Sequence, residues 1–226
     1  MAFDWLQIPF EPLEQVTAVD GKRYYKTPQG NCYKSVTTKL AEGPHPELDR
    51  WKERVGQVEA DRISNQAATR GEALHRIAEK YLKNQTDYSK GEMPNNLALF
   101  QSIKPYLDKK INLIYATETA VYSDTLKVAG TTDMFCQWDS INTISDWKTS
   151  TRPKKEKWIE DYFIQTTVYA LAIEELKPGL IIPQIAIIIA VENEEPQIFV
   201  KRKENYLAAV YKVFKNAKNQ DLPFSQ

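Results

Sequence analysis

The spacing of apolar and polar residues divides the chain into a helical first half and a strand-rich second half. In "ISNQAATRGEALHRIAEKYLKN" (63–84), Ala67, Leu74, Ile77, Ala78, Tyr81 and Leu82 recur at helical spacing and predict an amphipathic helix. "PELDRWKERVG" (46–56) predicts a shorter, charged helix before it. "SVTTKL" (35–40) leads toward helix from a ragged start, rich in Pro and Tyr, that holds a short hairpin, "RYYKTPQGNCYKSV" (23–36). "NNLALFQSIKPYLDKKI" (95–111) predicts a further helix, which Pro105 bends or shortens. The texture then changes. "IYATETAVYSD", "LKVAGTTDMFCQWD" and "NTISDWKTS" are β-rich runs parted by turn residues (Ser123-Asp124, Asp139-Ser140), which predicts a three-stranded meander over 114–150. "EKWIEDYFIQTTVYALAIEELK" (156–177) returns to a long amphipathic helix, closed by Lys177, Pro178 and Gly179. "PQIAIIIAVE" (183–192) is nearly unbroken apolar sequence, the mark of a strand buried on both faces. "QIFVKRK" (197–203) pairs with it across "NEEP", and "ENYLAAVYKVFKNAKN" (204–219) ends the chain as a helix. This order predicts an α/β fold, a mixed sheet flanked by helices. One domain fills residues 1–226, with an N-terminal helical region to residue 114 and a sheet core from 115.

Composition changes this picture little. Lys plus Arg and Asp plus Glu balance at 30 each, so no global positive field advertises a polyanionic partner. Bases gather locally, in Arg152, Lys154, Lys155 and Lys157 and again in Lys201, Arg202 and Lys203. Cys32 and Cys136 are too few for a disulfide framework or an iron–sulfur cluster. The first 21 residues hold no Lys or Arg but four acids, so no signal or transit peptide is expected. The longest apolar run, "GLIIPQIAIIIAV", is interrupted by Pro183 and Gln184 and is too short to span a bilayer. The expectation is a protein without a membrane segment, in the cytoplasm of a bacterium or a phage-infected cell. The tryptophans Trp138, Trp147 and Trp158 lie in regular elements and are expected in the core, whereas Trp5 is open to packing or to base stacking.

Candidate chemistry enters with "SDWKTS". Acids are disfavoured in strands, yet Asp146 and Lys148 stand two apart on one and therefore share a face, while Trp147 points the other way. The spacing alone is weak, since Asp20–Lys22, Asp108–Lys110 and Glu175–Lys177 repeat it in turns and on helices. Asp146 differs in lying on an inner strand, 13 residues after Asp133 on the neighbouring one. Two such carboxylates repel unless a cation lies between them, and hard oxygen donors suit Mg²⁺ or Mn²⁺. A lysine beside the ion positions or deprotonates a water, or offsets charge on a phosphate.

Upstream of these strands, "RGEALHRIAEKYL" places His75 on a helix, and downstream Gln165 and Tyr169 lie one helical turn apart. The ordered set His75, Glu118, "GTTD", "DWKTS" and "QTTVY" resembles the RecB-like branch of the PD-(D/E)XK nuclease superfamily over roughly residues 34–175. Within that branch it is similar to the family of mitochondrial genome-maintenance exonucleases with its phage and bacterial relatives. That family shares the "SVT" start at Ser35–Thr37 and the "RWK" helix at Arg50–Lys52. The resemblance implies a restriction-endonuclease-like core. It implies that Asp133, Asp146, His75 and the Trp147 carbonyl hold Mg²⁺ or Mn²⁺, and that Lys148 is catalytic with Asp133 and Asp146. Thr149, Ser150, Gln165, Tyr169 and Lys154 would contact DNA, with Glu118, Ser35 and Thr37 as further site positions. Relatives clasped by an iron–sulfur cluster need four cysteines, so that subfamily is set aside. The expected activity is a metal-dependent DNA exonuclease acting on single strands or strand ends, in DNA replication, recombination, repair or phage DNA metabolism. The helices between about 43 and 114 would form a lid. Two alternatives stay open: a structure-specific endonuclease on the same core, and a DNA-binding or recombination partner that does not cleave.

Overall fold

The computed structural model describes residues 2–214. Eight strands form one mixed sheet: β1 (Glu14–Thr17), β2 (Arg23–Lys26), β3 (Cys32–Ser35), β4 (Ile111–Ser123), β5 (Val128–Trp138), β6 (Ile141–Ser150), β7 (Gln184–Val191) and β8 (Gln197–Arg202). Six helices accompany them: α1 (Val36–Ala41), α2 (Pro46–Val55), α3 (Gln57–Leu82), α4 (Pro94–Lys110), α5 (Glu160–Leu176) and α6 (Leu207–Phe214). The meander is present, β4–β5 and β5–β6 both antiparallel. The crossover through α5 then lays β7 parallel to β6 from Thr143 opposite Gln184 to Ser150 opposite Val191. The predicted end of the last helix beyond residue 214 lies outside the described residues.

Burial follows the two-residue period of the strands. Ala186, Ile188 and Ala190 of β7 face the cluster formed with α3 and α4, which also takes Met134, Trp138 and Trp147. Ile185, Ile187 and Ile189 face Phe163 and the opposite layer. Phe135 and Ile144 pack there against Ile164, Val168 and Tyr169 of α5. A strand covered on both sides has no polar face to offer solvent, which is why 184–191 reads as continuous apolar sequence.

Four details depart from the sequence expectation. The early hairpin gains a further strand, β1, and joins the main sheet where β3 pairs in parallel with β5 at Lys34–Val128 and Ser35–Ala129. Helix α4 runs unbroken through Pro105. Helix α5 begins at Glu160 after a short 3-10 turn over Glu156–Trp158, and every residue from Phe163 to Ala170 is buried, so it is a central helix and not an amphipathic one. Trp158 is 57% exposed, outside the core that its place in a regular element suggested, because the next residue, Ile159, takes the buried position. Among the described residues no helix is long and apolar enough to cross a membrane.

Candidate metal centre and nucleic-acid cleft

The site lies where the ladder between β5 and β6 stops. Its last pair is Met134 opposite Ser145. One step further the register sets Asp133 across from Asp146. On the other edge of β5 the register runs through Thr117–Met134 and Thr119–Thr132, leaving Glu118 across from Asp133. Three carboxylates thus form a row over three adjacent strands. Asp133 stands in for the missing rung: its Oδ2 accepts a hydrogen bond from the Trp147 backbone N–H at 2.7 Å. In an extended strand a residue's N–H and C=O lie on one edge, so the Trp147 carbonyl also faces β5. Glu118 adopts φ of 45°, a left-handed backbone that costs a non-glycine residue roughly 1–3 kcal/mol and gathers at functional sites.

Helix α3 supplies the imidazole. Leu74, Ile77 and Ala78 bury one flank of this helix, and His75 beside them reaches the acids at the level where β5 and β6 part. Its Nδ1 lies 3.3 Å from Glu118 Oε1 and 3.5 Å from Asp133 Oδ1. Donor atoms of His75, Glu118 and Asp133 all fall within 4.8 Å of one another, a spacing that fits a single metal ion. Asp146 is not in that trio, and its oxygens meet other partners: Lys148 Nζ pairs with Oδ2, and Gln165 Nε2 donates to Oδ1 at 2.9 Å. Lys148 in turn sits 5.2 Å from the centre of the Tyr162 ring.

The electrostatics of this group are those of buried acids lacking sufficient counter-charge. Burial and the neighbouring Asp146 raise the Asp133 carboxyl above the usual carboxylate range, only partly offset by His75 and Lys148. Burial pulls the His75 imidazole down, but Glu118, Asp133 and Asp146 outweigh it and hold the ring up at about 9. Burial likewise opposes the Lys148 ammonium, yet Asp146 and Asp133 raise it. Two unit charges ~5 Å apart at an effective dielectric of ~20 repel by about 3 kcal/mol. A row of three carboxylates therefore favours a divalent cation.

These groups open into a cleft of about 240 Å³. Of the residues singled out in the sequence, His75, Glu118, Asp133, Asp146, Lys148, Gln165, Tyr169, Ser35 and Thr37 line it. Ser35 also caps α1, its Oγ accepting from the Thr38 N–H at 3.0 Å. Thr149, Ser150 and Lys154 are not among the lining residues. Ser150 Oγ donates to the Arg152 carbonyl at 2.6 Å and closes a turn, and Lys154 is exposed on the loop that follows. Trp5 packs against the α3–α4 core, its Nε1 donating to the Leu82 carbonyl at 3.0 Å.

Arg23, Tyr25, Gly130 and Thr131 line the cleft without having been singled out. The first two come from β2. Tyr25 Oη is 3.2 Å from Thr131 Oγ1, an approach that depends on the hairpin docking beside β5, which no local pattern announces. Gly130 was visible within "GTTD", but its reason lies 39 residues away: a Cβ there would stand 2.7 Å from Tyr169 Cε1 and Oη. Gly130→Ala is expected to cost about 1–3 kcal/mol through this overlap. In Tyr169→Ala, which removes the ring, the same change should cost much less, so urea unfolding of the two single variants and the double variant should be clearly sub-additive. Additive costs would show that the ring is not what the glycine accommodates.

The chain is 31% identical over 134 residues to mitochondrial genome maintenance exonuclease 1 of Mus musculus. It is a relative of that exonuclease. The matched stretch is 56% of this chain and 39% of the mouse protein, so the chain spans well under half of the relative's length. Among solved structures it is similar to a protein from Eubacterium rectale described as a candidate exonuclease, at a TM-score of 0.45 and 18% identity, covering 66% of this chain and 64% of that one. No family model matches the chain.

Proposed function

We propose that the chain is a metal-dependent deoxyribonuclease of the RecB-like PD-(D/E)XK type, an exonuclease that hydrolyses phosphodiester bonds in single-stranded DNA or at strand ends. The observation that carries this reading is the row Glu118, Asp133 and Asp146 across three strands, with His75 and Lys148 in the same cleft. Carboxylate oxygens with one imidazole are donors suited to Mn²⁺ or Mg²⁺, and the convergence of His75, Glu118 and Asp133 fits such an ion. Those three residues would hold it, joined by Asp146 and the Trp147 carbonyl. When bound, a divalent ion would polarise the scissile phosphate and acidify a water.

The chain's own residues supply the rest. Lys148, kept protonated by its acidic neighbours, orients the attacking water and offsets charge building on the phosphoryl oxygens. Gln165 fixes the Asp146 carboxylate by donating to it, so the lysine's partner has one orientation. Ser35, Thr37, Arg23 and Tyr169 present hydroxyls and a guanidinium to a phosphate in the cleft. Likeness to the mouse exonuclease supports this reading, and DNA as the substrate comes from it.

Helix α2 buries no residue and the first four turns of α3 bury only Ala60. We assign this lightly anchored segment as an arch through which a strand end threads. With Mg²⁺ or Mn²⁺, linear single strands should be degraded while covalently closed circles survive, and EDTA should stop the reaction. Circles cut as fast as linear strands would point to the endonuclease alternative. DNA bound but left whole under either metal would point to the non-cleaving partner.

A further inference from the structure

We infer that the loop between β6 and α5 is a stacking platform for single-stranded DNA, with Trp158 as its base-binding ring. This inference rests on the nuclease reading above and extends it to a surface outside the cleft. Three independent observations carry it. Trp158 is 57% exposed although it sits in a regular turn. Arg152, Lys154, Lys155 and Lys157 precede it in sequence, all exposed, and none of the four is in an ion pair among the described residues, while the acids Glu160 and Asp161 follow it at the start of α5. The one acid among the four bases, Glu156, is already taken by Lys201 at 2.7 Å.

The loop is also held in shape. Lys154 N–H donates to Gln197 Oε1 at 2.6 Å, and Gln197 Nε2 donates back to the Lys154 carbonyl at 3.0 Å. Trp158 N–H donates to the Lys155 carbonyl at 2.8 Å, and the neighbouring Ile159 anchors in the core against Phe163. Lys155 Nζ rests 5.2 Å from the centre of the Trp158 ring, so cation and aromatic face are presented together. A fixed aromatic face among unpaired cations has the chemistry that holds single strands, stacking on a base while charges meet phosphates. Its position suits that role, because the loop joins the strand of Asp146 and Lys148 to the helix of Gln165 and Tyr169.

The test is binding of a fluorescently labelled oligothymidylate, followed by anisotropy in the Lys148→Ala background with EDTA present so that cleavage does not intervene. Adding Trp158→Ala should weaken binding about ten-fold or more, and Trp158→Phe should restore most of it. Lys155→Gln with Lys157→Gln should flatten the dependence of log K on log salt by about 0.7 for each phosphate that is no longer neutralised. A blunt duplex, whose bases are not free to stack, should not respond to Trp158→Ala. Unchanged single-strand binding in Trp158→Ala, with melting temperature also unchanged, would overturn the platform and leave the nuclease reading standing. Equal weakening on single strand and duplex would likewise overturn stacking. If the parent chain neither bound nor cut single strands, both readings would fall together.

Discussion

Lys148→Ala is expected to lower the rate of single-strand hydrolysis by about 10²–10⁴-fold, the range set by removal of one group that acts only in the transition state. The loss should appear in the single-turnover rate at saturating DNA, since the ammonium lies against Asp146 and not in the loop assigned to strand binding. A second consequence separates charge from shape. Without the lysine, Asp146 is a buried carboxylate next to Asp133 with only Gln165 as partner. Asp146→Asn added to Lys148→Ala should therefore regain stability without regaining activity. Retention of the parent rate within about three-fold in Lys148→Ala would remove the lysine from the chemistry.

The other large effect is a pH dependence that divalent ions reverse. His75 is held up at about 9 against an ordinary value of 6.5, and Asp133 is raised as well. Both shifts mean that the folded, metal-free chain binds more protons than the unfolded one, so its stability falls as pH rises. The His75 contribution is complete below its ordinary value and gone above about 9. It amounts to at most about 3 kcal/mol before solvent screening of a ring that is partly exposed. A metal ion needs the neutral imidazole and charged carboxylates, so proton and metal compete. Thermal melting in EDTA should therefore decline through this window, while Mn²⁺ should raise the melting temperature most at the alkaline end. A metal-free melting temperature that climbs with pH, or cleavage that survives chelation, would contradict the assignment.

What the sequence disclosed divides by range. Helix α3 and the strands β4 to β7 were legible because each buries faces whose period appears in a dozen residues or fewer. Asp146 and Lys148 were legible as a same-face pair for the same reason. Lys148 and Gln165 both hold Asp146, a contact that periodicity did not give, and the resemblance had offered Gln165 as a DNA contact instead. What stayed hidden depends on pairings distant in sequence. The pairing of β3 with β5 joins residues 34–35 to 128–129, and the hairpin docked there brings Arg23 and Tyr25 into the cleft. Trp158 misled because an element's regularity does not say which of its residues faces inward, and Ile159 took that place. Pro105 misled in the opposite sense, since burial of Leu99, Phe100, Ile103 and Leu107 carries α4 past the missing donor.

The hydrogen bond from the Trp147 amide to Asp133 gives this chain a native spectroscopic gauge. Most strand amides report on a neutral peptide carbonyl, but this one ends on a group that gains and loses charge. Its nitrogen and proton resonances register the ionisation of the acid, and its deuterium uptake registers how long the two strands stay joined at that level. A titration followed at this single nucleus would read the charge of the centre without any substitution.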